Sequence, residues 1–150
     1  MSAESTPSIL IRPAVAEDYD RIVAVWQTTG LTFCHEGRES REAFERQLGQ
    51  LAGLYLVAWD DDRLVGVVLG SHDQRKGWIN RLAVLPEYRR RGIAAQLVCA
   101  CEEAIRARGI EIIGALVEQG NGASIEFFEH VGYRNDVPAR YFRKLDRPGV

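Results

Sequence analysis

The chain has 150 residues, 46% of them hydrophobic and 27% charged, which suits one ordinary globular core and is too little for two full domains. Its 19 basic and 21 acidic residues leave a formal charge of −2, so nothing draws the whole molecule to nucleic acid or to an anionic membrane. Any affinity for phosphate must come from a local cluster.

Taken in chain order, ILIR at 9–12 reads as a first strand closed by Pro13, after a lead, residues 1–7 (MSAESTP), expected to be disordered. Between Ala16 and Thr28, Tyr19, Ile22 and Trp26 recur at helical spacing. Glu17 and Asp18 sit in the first turn, where the helix dipole favours acid, and Gly30 supplies the stop. After the unpatterned LTFCHEGRE, Ser40 can cap a second helix carrying Phe44, Leu48 and Leu51. LYLVAW and RLVGVVLG, joined by Asp60-Asp61-Asp62, form a hairpin pattern, and WINRLAV a third strand ended by Pro86. From Arg91 to Arg108, Ile93, Leu97, Cys101 and Ile105 are spaced by four, with Gly109 as the stop. IEIIGALV is the next strand, Ala123 to His130 a short helix, and RYFRKL a final strand. The order βααβββαβαβ indicates an α/β (α+β) domain over residues 8–150, with one mixed central sheet flanked by helices.

The N-terminal MSAESTPSIL has neither a basic n-region nor an apolar h-region, and nowhere do about eighteen apolar residues run together, so a cytoplasmic protein is expected. The cysteines, Cys34, Cys99 and Cys101, are odd in number and lack a CxxC spacing, which indicates neither a disulfide framework nor a metal site. Cys99 and Cys101 point roughly 200° apart on a helix, at about 100° per residue, and read as buried small apolar residues.

The segment PEYRRRGIAA joins the strand INRLAV to the amphipathic helix that begins near Gly92. The first turn of a helix has unpaired N–H groups and the positive end of the dipole, and Gly92, Ala94 and Ala95 are small enough to let an anion reach those amides. A solvated charged loop explains the same residues. No GxxxxGK[ST] is present, so this is not a Walker A loop.

LAVLPEYRRRGIAAQLV resembles motif A of the GNAT superfamily of N-acetyltransferases, whose core [RQ]-x-x-G-x-[GA] is met by Arg89, Gly92 and Ala94. NGASIEFFEHVGY is similar to the superfamily's motif B through Asn121, Phe127, Glu129, Gly132 and Tyr133, and IRPAVAEDYDRI to its usual opening. The resemblance implies a fold in which INRLAV and IEIIGALV run parallel and splay apart to hold acetyl-CoA, or a related short acyl-CoA, as acyl donor. It implies that the pyrophosphate is held by amides from Arg90 through Arg91, Gly92, Ile93 and Ala94 to Ala95, next to Arg89. The pantetheine arm would pair along Leu82, Ala83 and Val84, and Asn121 would touch that arm. GNGASI is also half of a GxGxxG, with Ile125 at the third glycine, and an Asn-Gly helix start explains it better.

Acetyl transfer needs a deprotonated amine, and Glu118, just past IEIIGALV, is the candidate base, acting directly or through water. His72 and Glu36 are weaker candidates. Many superfamily members place a tyrosine in motif B to protonate the leaving thiolate; here Phe128 stands there, and neither Tyr133 nor Tyr141 is assigned to replace it. Asn80 and Arg81 stand where relatives often carry an acid before motif A. Arg81 facing the acceptor pocket would favour an acceptor with a carboxylate, such as an amino acid; facing away, it is a solvated charge. The resemblance puts acceptor specificity in Thr32 to Arg38 and Ser71 to Gly77, while Trp26, Trp59 and Trp78 read as packing residues.

The expected function is direct acetyl transfer in a ternary complex to an amine of a small molecule or peptide, with no metal, no nucleic-acid partner and no membrane, and with a homodimer left open. A CoA-binding module without transferase activity is the alternative.

Overall fold

The computed structural model describes residues 8–148; the lead at 1–7 lies outside them. Five strands, β1 (Ile9–Pro13), β2 (Tyr55–Asp60), β3 (Arg63–His72), β4 (Lys76–Val84) and β5 (Ile112–Ala115), form one sheet in that spatial order. The first three pairings are antiparallel and β4 with β5 is parallel. The helices are α1 (Tyr19–Thr29), α2 (Arg41–Gln50), α3 (Ile93–Arg106) and α4 (Gly122–His130). None among the described residues is long and apolar enough to cross a membrane.

The local signals explain most of these boundaries. Gly30 closes α1 in the left-handed region at φ 74°. The Ser40 hydroxyl accepts the N–H of Ala43 at 3.2 Å to start α2, and Asp61, also left-handed, turns the β2–β3 hairpin. At the start of the first helical segment the buried Asp18 accepts two bonds from the Arg12 guanidinium, at 2.8 and 3.0 Å, and the Val15 N–H at 2.8 Å. Burial on its own would raise this carboxyl's pKa, but these bonds outweigh it and hold the pKa below the ordinary value.

In β3 the side chains of Val65, Val67 and Val68 are all closed to solvent, so the sheet is covered on both faces. One cover is α3, seated by three glycines: a Cβ on Gly66, Gly70 or Gly77 would come within 3.0 Å of Leu97, 2.5 Å of Cys101 or 2.5 Å of Ile105. These partners are four residues apart on the helix, so one stripe of α3 rests on a glycine track. The Tyr133 hydroxyl, 2.9 Å from Glu102, ties the end of α4 to α3. The opposite face carries α1 and α2, where Trp26, Tyr19 and Phe44 are buried with Tyr55 of β2.

Three expectations need correction. RYFRKL forms no strand: residues 134–148 contain no helix or strand, and Tyr141 and Phe142 are 73% and 88% exposed. A strand exists through its partner, and among the described residues none pairs with the outer edge of β5. IEIIGALV is paired only over Ile112–Ala115, because β4 diverges beyond that point. Cys101 is buried as expected, but Cys99 is exposed on the far side of α3 and Cys34 is half-buried.

Candidate active site

Two features of β4 create a cleft in the sheet. Val67 pairs with Ala83 and Leu69 with Asn80, so two steps on β3 oppose three on β4; the extra residue makes a bulge, with Arg81 left-handed at φ 55°. Pairing with β5 stops at Ile79 opposite Ala115, yet β4 continues from Asn80 to Val84. Along that stretch Ala83 and Val84 pair with β3 on one side, and Leu82, Ala83 and Val84 have no strand partner on the other. Non-glycine residues with positive φ cost on the order of 1–3 kcal/mol, and here the strain sits at the closed end of the splay.

At its open end is the N-terminus of α3. Pro86–Tyr88 make one tight turn, Arg90 and Gly92 both have positive φ (63° and 76°), and Gly92 is the N-cap residue with no side-chain cap. The first intrahelical bond is from Gln96 N–H to the Gly92 carbonyl at 3.0 Å. The amides of Ile93, Ala94 and Ala95 therefore have no helical acceptor and carry the positive end of the dipole. A Cβ placed on Gly92 would meet no atom within 4 Å, so the space beside the residue that starts the helix is open. Arg89, Arg90 and Arg91 are exposed around it, with Arg91 stacked on Tyr88 at 5.0 Å. Free amides, a favourable dipole, three guanidinium groups and an adjoining unpaired strand edge fit a diphosphate with an extended amide arm.

On the α1 side of the bulge the structure settles the direction of Arg81. Its guanidinium lies over Trp26 at 4.5 Å, and Nη1 donates to the Thr32 carbonyl at 2.7 Å. It therefore turns inward, beneath the segment between α1 and α2. Beside it is Glu39, buried, whose carboxylate accepts the Cys34 N–H at 2.6 Å and Arg38 Nε at 3.0 Å. Burial lowers the Arg81 pKa from its usual value and pushes the neighbouring Tyr55 hydroxyl well above its own. Glu39 and Tyr55 were not singled out from sequence. Glu39 ends an unpatterned stretch and Tyr55 reads as an ordinary strand residue; only their convergence on Arg81 marks them.

The model of the acetyltransferase (GNAT) family matches residues 17–133. An acetyltransferase of Photorhabdus laumondii is 31% identical over 125 residues, covering 83% of this chain and 86% of that protein. The chain belongs to the GNAT acetyltransferase family. Solved structures share its fold. The PaiA N-acetyltransferase of Thermoplasma acidophilum, in complex with coenzyme A, has TM-score 0.73 and 22% identity over 85% of this chain and 90% of that one. AAC(6')-Iy with the bisubstrate analogue CoA-S-monomethyl-acetylneamine has TM-score 0.76 and 17% identity over 92% and 99%. As a GNAT enzyme the chain moves an acetyl group from acetyl-CoA to an amine.

The remaining GNAT positions occupy distinct places. Asn121 is the N-cap of α4: its side-chain oxygen accepts the Ser124 N–H at 3.1 Å, which leaves the carboxamide nitrogen as a donor. That cap also disposes of the half-matched GxGxxG. Glu118 is exposed in the turn before α4, past the end of β5 at Ala115. Phe128 is half-buried with its ring against Phe127 and Tyr133, and offers no proton. Tyr133 is pushed far above its ordinary pKa, first by burial and then by the bond to Glu102, and it faces α3 rather than the splay. His72 is engaged in its own turn, where Nδ1 accepts the Gln74 N–H at 3.0 Å, and Glu36 and Tyr141 are exposed.

Proposed function

We propose that acetyl-CoA binds in the β4–β5 splay, and that the amine attacks it directly within a ternary complex. The observation that carries this reading is the unpaired β4 edge running into the uncapped, glycine-fronted N-terminus of α3. The amides of Arg90 to Ala95 would hold the pyrophosphate, with Arg89 and Arg91 adding charge-assisted bonds. Leu82, Ala83 and Val84 would hold the arm through their backbone, and Asn121 would donate its carboxamide N–H to it.

When bound, acetyl-CoA supplies a thioester, activated for acyl transfer. The amine nitrogen bonds to the acyl carbon, the carbon–sulfur bond breaks, and the amine's proton is carried off with the thiol. Glu118 is proposed to take that proton first. A thiol of pKa about 8.5 leaves as thiolate at moderate cost, so Phe128 at the usual tyrosine position does not stop the reaction.

Direct transfer is supported by two of the three cysteines: Cys101 faces the glycine track with its thiol pushed up to about 12 by burial, and Cys99 points away into solvent, while Cys34 lies beside Glu39 on the acceptor side. Three free thiols also suit the reducing cytoplasm, where we place the protein. The acceptor is an amine on a small molecule or peptide.

The test is calorimetric titration with acetyl-CoA of the wild type and Gly92→Glu, followed by initial-rate kinetics of CoA release. Binding that falls by about 100-fold in the variant, with intersecting double-reciprocal plots, is expected. Equal binding by the two proteins overturns the donor site, and parallel plots overturn direct transfer. Glu118→Gln should lower kcat by about 10²-fold.

A further inference from the structure

Among the described residues, four buried side-chain polar atoms have no hydrogen-bond partner, and three of them belong to one stacked pair: Arg81 Nε, Arg81 Nη2 and Trp26 Nε1. Nε–H and one N–H of Nη2 share an edge of the guanidinium and point in parallel, the fork that a carboxylate accepts with both oxygens. The third nitrogen, Nη1, is committed to the Thr32 carbonyl. The one carboxylate within 4 Å among the described residues is that of Glu39, 3.9 Å from Nη1, and its two oxygens already accept Arg38 Nε and the Cys34 N–H. A buried cation thus presents an unused bidentate edge, where nearly every buried donor in a folded protein is satisfied.

The position of that edge gives it a use. Arg81 stands at the bulge where the free stretch of β4 ends, since pairing with β5 resumes at Ile79 and Ala115. An extended arm laid along β4 from the α3 N-terminus ends beside Arg81. The α3 face is closed next to it, because on the neighbouring strand Cys101 leaves no room even for a Cβ on Gly70, opposite Ile79. An acceptor must therefore come from the α1 side, into which the Arg81 side chain projects.

We propose that Arg81 selects the acceptor, and that the acceptor is an amine that also carries a carboxylate, an amino acid, whose carboxylate takes the Nε and Nη2 edge. This rests on the reading of the β4–β5 splay as the donor site. The amine of the same molecule then faces the closed end of the splay, where its nitrogen bonds the acetyl carbon as the carbon–sulfur bond breaks and its proton leaves with the thiol. Entry requires the Thr32–Arg38 segment to move aside. That segment contains no helix or strand; it meets Arg81 through the Thr32 carbonyl bond and sets Phe33 5.8 Å from the Trp26 ring. An acceptor without a carboxylate leaves the buried fork unpaired, which is how a polar pocket rejects an analogue lacking the matching group.

The experiment measures CoA release with a panel of amino acids and the carboxamide of each, which keeps the amine and the shape but loses the charge. The wild type should prefer acid over amide by about 10- to 100-fold in kcat/KM, the difference lying in the acceptor KM. Arg81→Met should bring the ratio to within about threefold of unity, and Arg81→Lys should retain part of it, having the charge without the fork. Equal use of acids and amides by the wild type overturns the proposal, as does a loss in Arg81→Met that is the same for both. Acetyl-CoA titration of all three proteins separates the two levels. A wild type that binds no acetyl-CoA removes the donor site and this proposal together, whereas a wild type that binds it and acetylates amines without regard to the carboxylate removes only the role of Arg81.

Discussion

The proposed donor and acceptor sides of the β4 bulge meet at Arg81 and are built from different material. On the donor side the working groups are backbone: amides at the start of α3 and the unpaired edge from Leu82 to Val84, with side chains kept small so that nothing stands in front of them. On the acceptor side they are buried side chains from three separate stretches: Arg81 of β4, Glu39 before α2 and Trp26 of α1. A backbone site is fixed by strand pairing and by where a helix begins, so it tolerates most substitutions except those that add a side chain. A side-chain site depends on each residue and its neighbour, and can be re-aimed by single changes.

The largest expected effect breaks the donor side from beneath. Gly77→Val puts a branched side chain into a place where a Cβ alone lies 2.5 Å from Ile105, and should cost about 3 kcal/mol. A thermal melt should show the loss, and acetyl-CoA affinity should fall with it as α3 shifts on the sheet. Next, the acceptor side should respond unequally to removal of its two charges. Glu39→Ala leaves the Cys34 N–H and the Arg38 Nε–H without their acceptor and should cost about 2 kcal/mol. Arg81→Met removes two unpaired buried donors along with one bond and should change stability by less than about 1 kcal/mol. Equal losses in denaturant titrations of the two variants would mean that Arg81 is a structural ion-pair partner.

Asp18→Asn sharpens the same point at the root of α1. It weakens the bonds to Arg12 and Val15 and should cost about 1–2 kcal/mol. Because the folded pKa of Asp18 lies below its ordinary value of 3.8, the wild type holds this stability at neutral pH and loses it as pH falls below about 4 through the lower folded value. The stability curve of the variant should be flatter over that range. The smallest effect is Tyr133→Phe, which loses one half-buried bond to Glu102, about 1 kcal/mol. Its kcat and pH profile should be unchanged; a changed alkaline limb would make Tyr133 the proton donor after all.

Element order, the caps at Gly30 and Ser40, the acidic hairpin turn and the glycine-fronted helix start were legible because each depends on residues within a few positions of one another. The proposed donor site was legible for the same reason: a backbone cradle needs small residues in a fixed order, and PEYRRRGIAA displays them. RYFRKL has the composition of a strand, but a strand needs a partner that no local pattern supplies, and none is present. The length of β5 was likewise set by the bulge in β4, a feature that no property of IEIIGALV announces. By itself, then, the sequence determined the family, the sheet's first four strands and the glycine-fronted start of α3. Only the tertiary structure decided which way Arg81 points and what surrounds it, because a buried charge takes its direction from partners that the fold brings from 40 and more residues away.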